Sequence, residues 1–195
     1  MRNDEATTGG PLLSELERYI VTSAEELAFP PSAWEADTLS EVLALPRVLV
    51  TRPPEDELIE IGMRRNDCHA NCAAQAVNDT DGKSRHVTGW YVSGSDLILH
   101  SVAQIDGRWF CLTPQLGKPA TQFEFIPDSS IEWRESPDRN SQIAVRYGRE
   151  LPQALRRHPE IHIRKHEQFL AFMASGMSAV EARDRVNSTA RQDSL

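Results

Sequence analysis

Two short turn sequences, each set between alternating runs of residues, most constrain what this chain can fold into. Ser93-Gly94-Ser95-Asp96 and Ile105-Asp106-Gly107-Arg108 place glycine beside serine or aspartate, which tight hairpin turns favour. The runs around them alternate between apolar and polar residues, as strands with one buried face do. The sequence therefore predicts an antiparallel meander of strands over residues 86–93, 96–105, 108–113 and 122–126.

A helix is predicted directly before this meander. Residues 68–77 are rich in alanine, and the sequence Asn78-Asp79-Thr80-Asp81-Gly82 that follows is a strong stop signal. A helix followed by antiparallel strands is an α+β arrangement, in which the helix covers one face of a small sheet. We therefore expect an α+β fold with this helix packed on a small antiparallel sheet.

The segments on either side of this core are predicted to be helical. Residues 11–46 carry apolar side chains at helical spacing, Pro30-Pro31 divides them, and Thr38 and Glu41 have the spacing of a capping box. Near the other end, Gly176 is a candidate C-cap, and Ser178 with Glu181 is a second candidate capping box. The predicted domains are a helical N-terminal extension (1–56), an α+β core (57–135) and a helical C-terminal segment (136–195).

Composition and charge limit the expected partners. The chain has 195 residues and a net charge of −8, which argues against general nucleic-acid binding because phosphate backbones select for basic surfaces. It contains no run of about 18 apolar residues, so no membrane span is predicted. Its first residues are polar and lack the apolar stretch of a secretory signal, from which we expect a cytoplasmic protein. The helical extensions offer surfaces for a protein partner.

The three cysteines are expected to be free thiols or metal ligands, since an odd number without a secretion signal argues against a disulfide framework. If Asn66 or Asp67 caps the predicted helix, Cys68 lies in its first turn. There the free N–H groups and the helix dipole favour a thiolate. Cys72 lies one turn further along the same face and is expected to be a small buried residue.

His100 lies in the middle of the second predicted strand, on the same face as the apolar Ile98 and Val102. A histidine in such surroundings is more often a core residue than a catalytic base. The hairpin turn at Asp106-Gly107 brings the next strand alongside, so the side chains of three of its residues could reach the imidazole. These residues are Cys111, Thr113 and, just past the strand, Gln115.

The order of these residues resembles that of the papain-like superfamily of cysteine hydrolases and acyltransferases. The stretch from His100 to Pro114 is similar to the strands that carry His and Asp in transglutaminase-like proteins, and the layout also resembles the arylamine acetyltransferase-like and NlpC-type branches. A group of bacterial and phage proteins has the pattern Cys-His-x-Asn, Gly-Trp, His-Ser/Ala-Val and Asp-x-Thr-Pro. The matching residues here are Cys68-His69-Ala70-Asn71, Gly89-Trp90, His100-Ser101-Val102 and Leu112-Thr113-Pro114. The resemblance covers residues 62–127 at most.

The resemblance implies a papain-like fold, with Cys68 as nucleophile and His100 as base, and with Gln115 or Thr113 orienting the imidazole. The substrate would be an amide or thioester of a peptide or acyl compound, and no cofactor is implied. The chain departs from the pattern at Cys111, where an Asp is expected. It departs again at Gly62, near the position of the glutamine that stabilises the oxyanion in papain.

Two other classes of function remain open from the sequence. Cys68, Cys72, His100 and Cys111 could together bind one zinc ion, although the paired short-spacing motifs of structural zinc sites are absent from the sequence. Alternatively, the chain is a non-enzymatic interaction protein that keeps a degenerate papain-like fold. The departure at Cys111 fits this second class.

Overall fold

The computed structural model describes residues 14–115, 119–137 and 142–192. The chain forms two compact units. One, called here the sheet unit, spans residues 31–159, and the other, the helical unit, combines residues 1–30 with residues 160–195. The described part of the chain contains no helix that is long and apolar enough to cross a membrane.

The sheet unit is a mixed α+β structure, in agreement with the expected fold class. Its helices are α2 (Ala33–Leu43), α3 (Glu55–Glu60) and α4 (Cys68–Asn78). Its strands are β1 (Val48–Thr51), β2 (Ser84–Ser93), β3 (Asp96–Ile105), β4 (Arg108–Phe110), β5 (Gln122–Pro127), β6 (Ile131–Glu135), β7 (Gln142–Arg146), β8 (Arg149–Glu150) and β9 (Ala154–Leu155). The predicted meander is found in β2, β3 and β4, but its fourth predicted strand, β5, pairs with β1 and β2 rather than with β4.

Strands β1 to β5 close into a ring. Their order is β2-β5-β1-β4-β3, and β2 also pairs with β3. The pairing of β1 with β4 is parallel, and the other pairings in the ring are antiparallel. The short β9 adds to β3 beyond β4, at Leu97 and Ile98, while β6, β7 and β8 form a separate sheet.

The two faces of β3 contact different parts of the core. His100 and Val102 face the inside of the ring, where Val102 packs in one cluster with Val50, Cys111, Phe123 and Phe125. On the other face, Ala103 packs in a cluster with Leu58, Cys72 and Leu112. Because α4 supplies Cys72, this helix covers the outer face of the ring, as the order of helix and meander predicted.

The helical unit consists, in its described part, of α1 (Glu15–Glu26), α5 (Pro159–Ala174) and α6 (Ala179–Gln192). Ser14 and Glu17 form a capping box at the start of α1. The predicted capping box of Ser178 and Glu181 is confirmed by reciprocal hydrogen bonds. Gly176 adopts a left-handed φ of 97° after α5, as a C-cap does. The apolar core of the unit is formed by Ile20, Phe169, Ala179, Ala182 and Val186.

Several boundaries differ from those predicted. The expected capping box of Thr38 and Glu41 is wrong, because Thr38 lies inside α2 and Ser32 caps that helix by accepting the N–H of Glu35. Residues 142–155, predicted as helix, form the short strands β7, β8 and β9. Residues 48–51 form β1 and pair with β4 and β5, so the predicted extension 1–56 and segment 136–195 each contribute to the sheet unit.

Candidate functional site

Cys68 is the first residue of α4 and is partly exposed. Asp67 occupies the N-cap position but makes no side-chain capping bond, so the first N–H groups of the helix remain free for another acceptor. The backbone N–H groups of Ser101 and His69 lie near the Cys68 thiol, where they favour its ionised form and act to lower its pKa. Burial nevertheless raises the pKa of the thiol, and nearby Cys111 and Asp67 raise it further. The thiol is therefore protonated at neutral pH.

The Ser101 amide is available to Cys68 because of a gap in the pairing of β3. Along the edge of β3 that faces away from β2, β9 pairs with residues 97 and 98, and β4 pairs with residues 103–105. The amide of Leu99 already donates to Gln153 O at 2.8 Å, and amides two residues apart point to the same side of a strand. The Ser101 amide thus faces the opening between the two partner strands, where the thiol of Cys68 meets it.

His100, the residue before Ser101, directs its ring to Cys111. The distance between His100 Nε2 and Cys111 Sγ is 3.4 Å. Burial lowers the pKa of His100 to about 4, and the positive charge of Arg52 contributes to this shift. The rings of Phe123 and Phe125 lie 6.0 and 6.5 Å from the imidazole. His100 is therefore neutral at pH 7 and lies in largely apolar surroundings.

The residues predicted to orient His100 lie elsewhere. Thr113 is buried, and its hydroxyl has no hydrogen-bond partner within the described ranges. Gln115 is partly exposed and lines a surface pocket together with Arg52, Pro54 and Glu55. Among the described residues, the hydrogen-bond partner of the His100 ring is Cys111, which occupies the position of the expected Asp, and no hydrogen bond joins the ring to the Cys68 thiol.

Asn71 fixes α4 against the end of the hairpin. It is buried, and its amide donates to Leu112 O at 3.0 Å and to Arg64 O at 2.7 Å, while its carbonyl accepts from the Arg64 N–H. Leu112 directly follows Cys111, so these bonds hold the helix that bears Cys68 close to the residue that contacts His100. Asn71 has a structural role here, with its polar groups satisfied by backbone.

A second pair of histidines lies beside Cys68, and the sequence did not identify it. His86 Nε2 lies 2.9 Å from Ser101 Oγ, and the rings of His69 and His86 are 4.5 Å apart. His69 also packs on Trp133 and contacts Gln142. Burial lowers the pKa of both histidines, that of His86 to about 4 with a contribution from His69. The strand register, which pairs Thr88 with Ser101, was the signal that could have placed His86 here.

The four residues considered as zinc ligands do not form a ready-made metal site. Over the ranges that the structure describes, no three His, Cys, Asp or Glu side chains are arranged to bind a metal ion. Cys72 is fully buried in the cluster between α4 and the sheet, and burial raises the pKa of its thiol. Its surroundings are those of a packed apolar residue rather than of a metal ligand.

Comparisons of the chain with protein-family models, with curated proteins and with solved structures found no match. The chemistry of the site therefore follows from its own atoms. A partly exposed thiol at a helix start lies near two backbone N–H groups, and the neutral imidazole of His100 contacts a second thiol, that of Cys111. These groups can supply a nucleophile, a proton acceptor and hydrogen-bond donors for an oxyanion.

Proposed function

We propose that the sheet unit is a divergent papain-like cysteine hydrolase or acyltransferase that acts on an amide or thioester of a peptide or acyl compound. One observation carries the proposal: the Cys68 thiol lies near the amide of Ser101, the residue after His100, and the His100 ring contacts Cys111. Because adjacent side chains of a strand point to opposite faces, the thiol and the imidazole approach β3 from its two sides, and the proposed reaction requires them to meet through the gap between β4 and β9. In a catalytic triad a third side chain contacts the base and orients it, and here Cys111 would make that contact with His100.

The proposed reaction begins with attack of Cys68 Sγ on the carbonyl carbon, while the thiol proton passes to His100. Because Nε2 faces Cys111, Nδ1 is the ring nitrogen that takes this proton, which requires the tautomer with hydrogen on Nε2. Backbone N–H groups at the start of α4 would stabilise the oxyanion. Collapse of the tetrahedral intermediate breaks the bond to the leaving group, which takes the proton from His100. Water, or an acceptor amine or thiol, then releases the acyl group from Cys68.

The electrostatics of the site favour a slow reaction. A base with a pKa of about 4 is a weak proton acceptor at pH 7, and the raised pKa of Cys68 leaves the thiol protonated. A carboxylate at position 111 would stabilise an imidazolium, whereas the thiol of Cys111 does so weakly. We therefore expect general-base catalysis from a neutral pair rather than a preformed thiolate–imidazolium pair.

Acylation by p-nitrophenyl acetate tests this proposal on the full chain, with the modified cysteine identified by peptide mass. We expect acetylation of Cys68 ahead of Cys72 and Cys111, and none at this position in Cys68→Ala. The variant His100→Gln should acylate about 10²-fold more slowly, since removal of a general base costs at least this much. His158→Gln is the matched control and should stay within about twofold, because His158 is exposed and is not among the residues of the site. Equal rates in the two histidine variants would exclude His100 as the base.

A non-enzymatic binding function is the second candidate, and the protonation states favour it. Cys68 has a raised pKa and His100 a lowered one, which is the reverse of what an activated thiolate requires. In that case the three cysteines should acylate slowly and in order of their exposure. The rate at Cys68 should also be insensitive to His100→Gln.

A further inference from the structure

The helical unit encloses a pocket that the proposed chemistry of the sheet unit does not use. It lies among α1, α5 and α6 and has a volume of about 280 Å³. Its apolar wall is formed by Ile20, Ala24, Leu27, Phe169 and Val186. Ligand pockets typically range from ~300 to 1,000 Å³ and are mostly apolar with a few polar groups. The pocket is therefore suited to a small ligand with an apolar body.

The two fully charged side chains that line this pocket are both basic. They are Lys165 of α5 and Arg183 of α6, which also pairs with Asp184 at 2.8 Å, and His162 and His166 lie on the same face of α5 as Lys165. Among the described lining residues there is no aspartate or glutamate. This one-sided lining is notable in a chain whose net charge is −8. A bound anion would therefore be attracted by the pocket and repelled by much of the remaining surface.

One polar atom of the pocket is buried and unsatisfied. His166 Nε2 has no hydrogen-bond partner in the part of the chain that the structure describes. Buried polar atoms are nearly always hydrogen bonded, to protein or to water, so such an atom requires a partner. A ligand carboxylate can accept a hydrogen bond from this nitrogen when the ring carries its proton on Nε2.

We propose that this pocket binds a small monocarboxylate with an aliphatic or aromatic body. The apolar wall takes the body of the ligand, Lys165 pairs with the carboxylate, and His166 Nε2 makes a hydrogen bond to it. A neutral apolar molecule would leave the histidine nitrogen unsatisfied and the lysine without a counter-ion. The proposal concerns residues of the helical unit alone and does not depend on the function of the sheet unit.

Calorimetric titration of the full chain with matched carboxylates and alcohols tests the proposal. The probes are octanoate with 1-octanol, and 3-phenylpropanoate with 3-phenylpropanol, because each pair shares its apolar body. At least one carboxylate should bind about tenfold more tightly than its alcohol, as a charge-assisted hydrogen bond provides. Ala24→Leu, which fills the pocket, should abolish binding of both members of that pair.

Two variants that remove one positive charge from neighbouring positions of α5 separate specific pairing from net charge. Lys165→Gln should weaken carboxylate binding about fivefold and leave alcohol binding unchanged, because Lys165 lines the pocket. The exposed Arg164 does not line it, so Arg164→Gln should have no effect. Equal losses in the two variants would overturn the proposal. Binding of alcohol as tight as that of carboxylate, or no binding of either carboxylate, would overturn it as well.

Discussion

Two histidines on opposite faces of the paired strands β2 and β3 invite direct comparison. His86 Nε2 lies 2.9 Å from Ser101 Oγ, and His100 Nε2 lies 3.4 Å from Cys111 Sγ. Burial lowers the pKa of each to about 4. The second cause of the lowered pKa differs between them. The charge of His69 lowers the pKa of His86, and the charge of Arg52 lowers that of His100. The same protonation state thus arises from two different neighbourhoods.

The comparison teaches that two histidines with the same lowered pKa differ in the groups that they contact. His86 belongs to a chain of ring contacts that runs through His69 to Trp133. His100 lies inside the ring of strands, and the backbone of the residue that follows it lies near the Cys68 thiol. A charged side chain would act on His100 if placed at position 111 and on His86 if placed at position 101.

The largest expected effect on the free energy of unfolding concerns Gly89, the residue that lies opposite His100 in the ring of strands. His100 is paired with Gly89 on β2, and a Cβ at that glycine would lie 2.2 Å from Ile126 O and 2.7 Å from Phe125 Cζ. Gly89→Ala should therefore lower the free energy of unfolding by about 3 kcal/mol. Gly94→Ala, at a turn with φ of 60° and open space, should cost about 1 kcal/mol. Urea unfolding measures both, and equal costs would contradict the close packing of β5 on β2.

A smaller effect is expected at Asn71, which links the outer face of the ring to the residue after Cys111. Asn71→Ala leaves the buried Leu112 carbonyl without its side-chain partner, so the free energy of unfolding should fall by about 2 kcal/mol. Asn78→Ala, at the exposed end of the same helix, should change it by less than about 0.5 kcal/mol. Thermal or urea unfolding of both variants measures the difference. A neutral Asn71→Ala would mean that these bonds do not hold the helix in place.

The smallest effect is the dependence of stability on pH that both histidines produce. Their folded pKa values of about 4 lie below the unfolded value of 6.5. Between these values the unfolded chain binds protons that the folded chain does not, so the free energy of unfolding should fall as pH decreases from 6.5 to about 4. Urea unfolding at pH 7 and pH 5 should show a smaller fall in His100→Asn and in His86→Asn than in the native chain. An unchanged fall in both variants would contradict the shifted pKa values.

The fold could be predicted from the sequence where local signals are strong. The turns at Gly94 and Gly107 predicted the β2–β3–β4 meander, and the stop signal that begins at Asn78 predicted the end of α4. The strand β1 could not be predicted, because its four residues lie among helical patterns and gain their partners, β4 and β5, only through long-range pairing. The same reason applies to β8 and β9, which have two residues each.

The site was predictable in part. Alternation along β3 placed His100 on the face of Val102, and the hairpin correctly suggested that Cys111 could reach the ring. The prediction of Thr113 or Gln115 as orienting residue required β4 to continue to residue 113, whereas β4 ends at Phe110. The contact between Cys68 and the Ser101 amide could not be foreseen, since it depends on the gap between β4 and β9.

The most direct test of the Cys68–His100 pair is the rate of Cys68 acylation by p-nitrophenyl acetate at pH 7 in Cys111→Asp. A carboxylate next to His100 should raise the pKa of the imidazole, stabilise the imidazolium and increase the rate about tenfold or more. Adding His100→Gln should abolish the gain, and Cys111→Ser, which is similar in size but uncharged, should not show it. A folded Cys111→Asp variant that acylates no faster than the native chain would contradict the assignment of His100 as the base for Cys68.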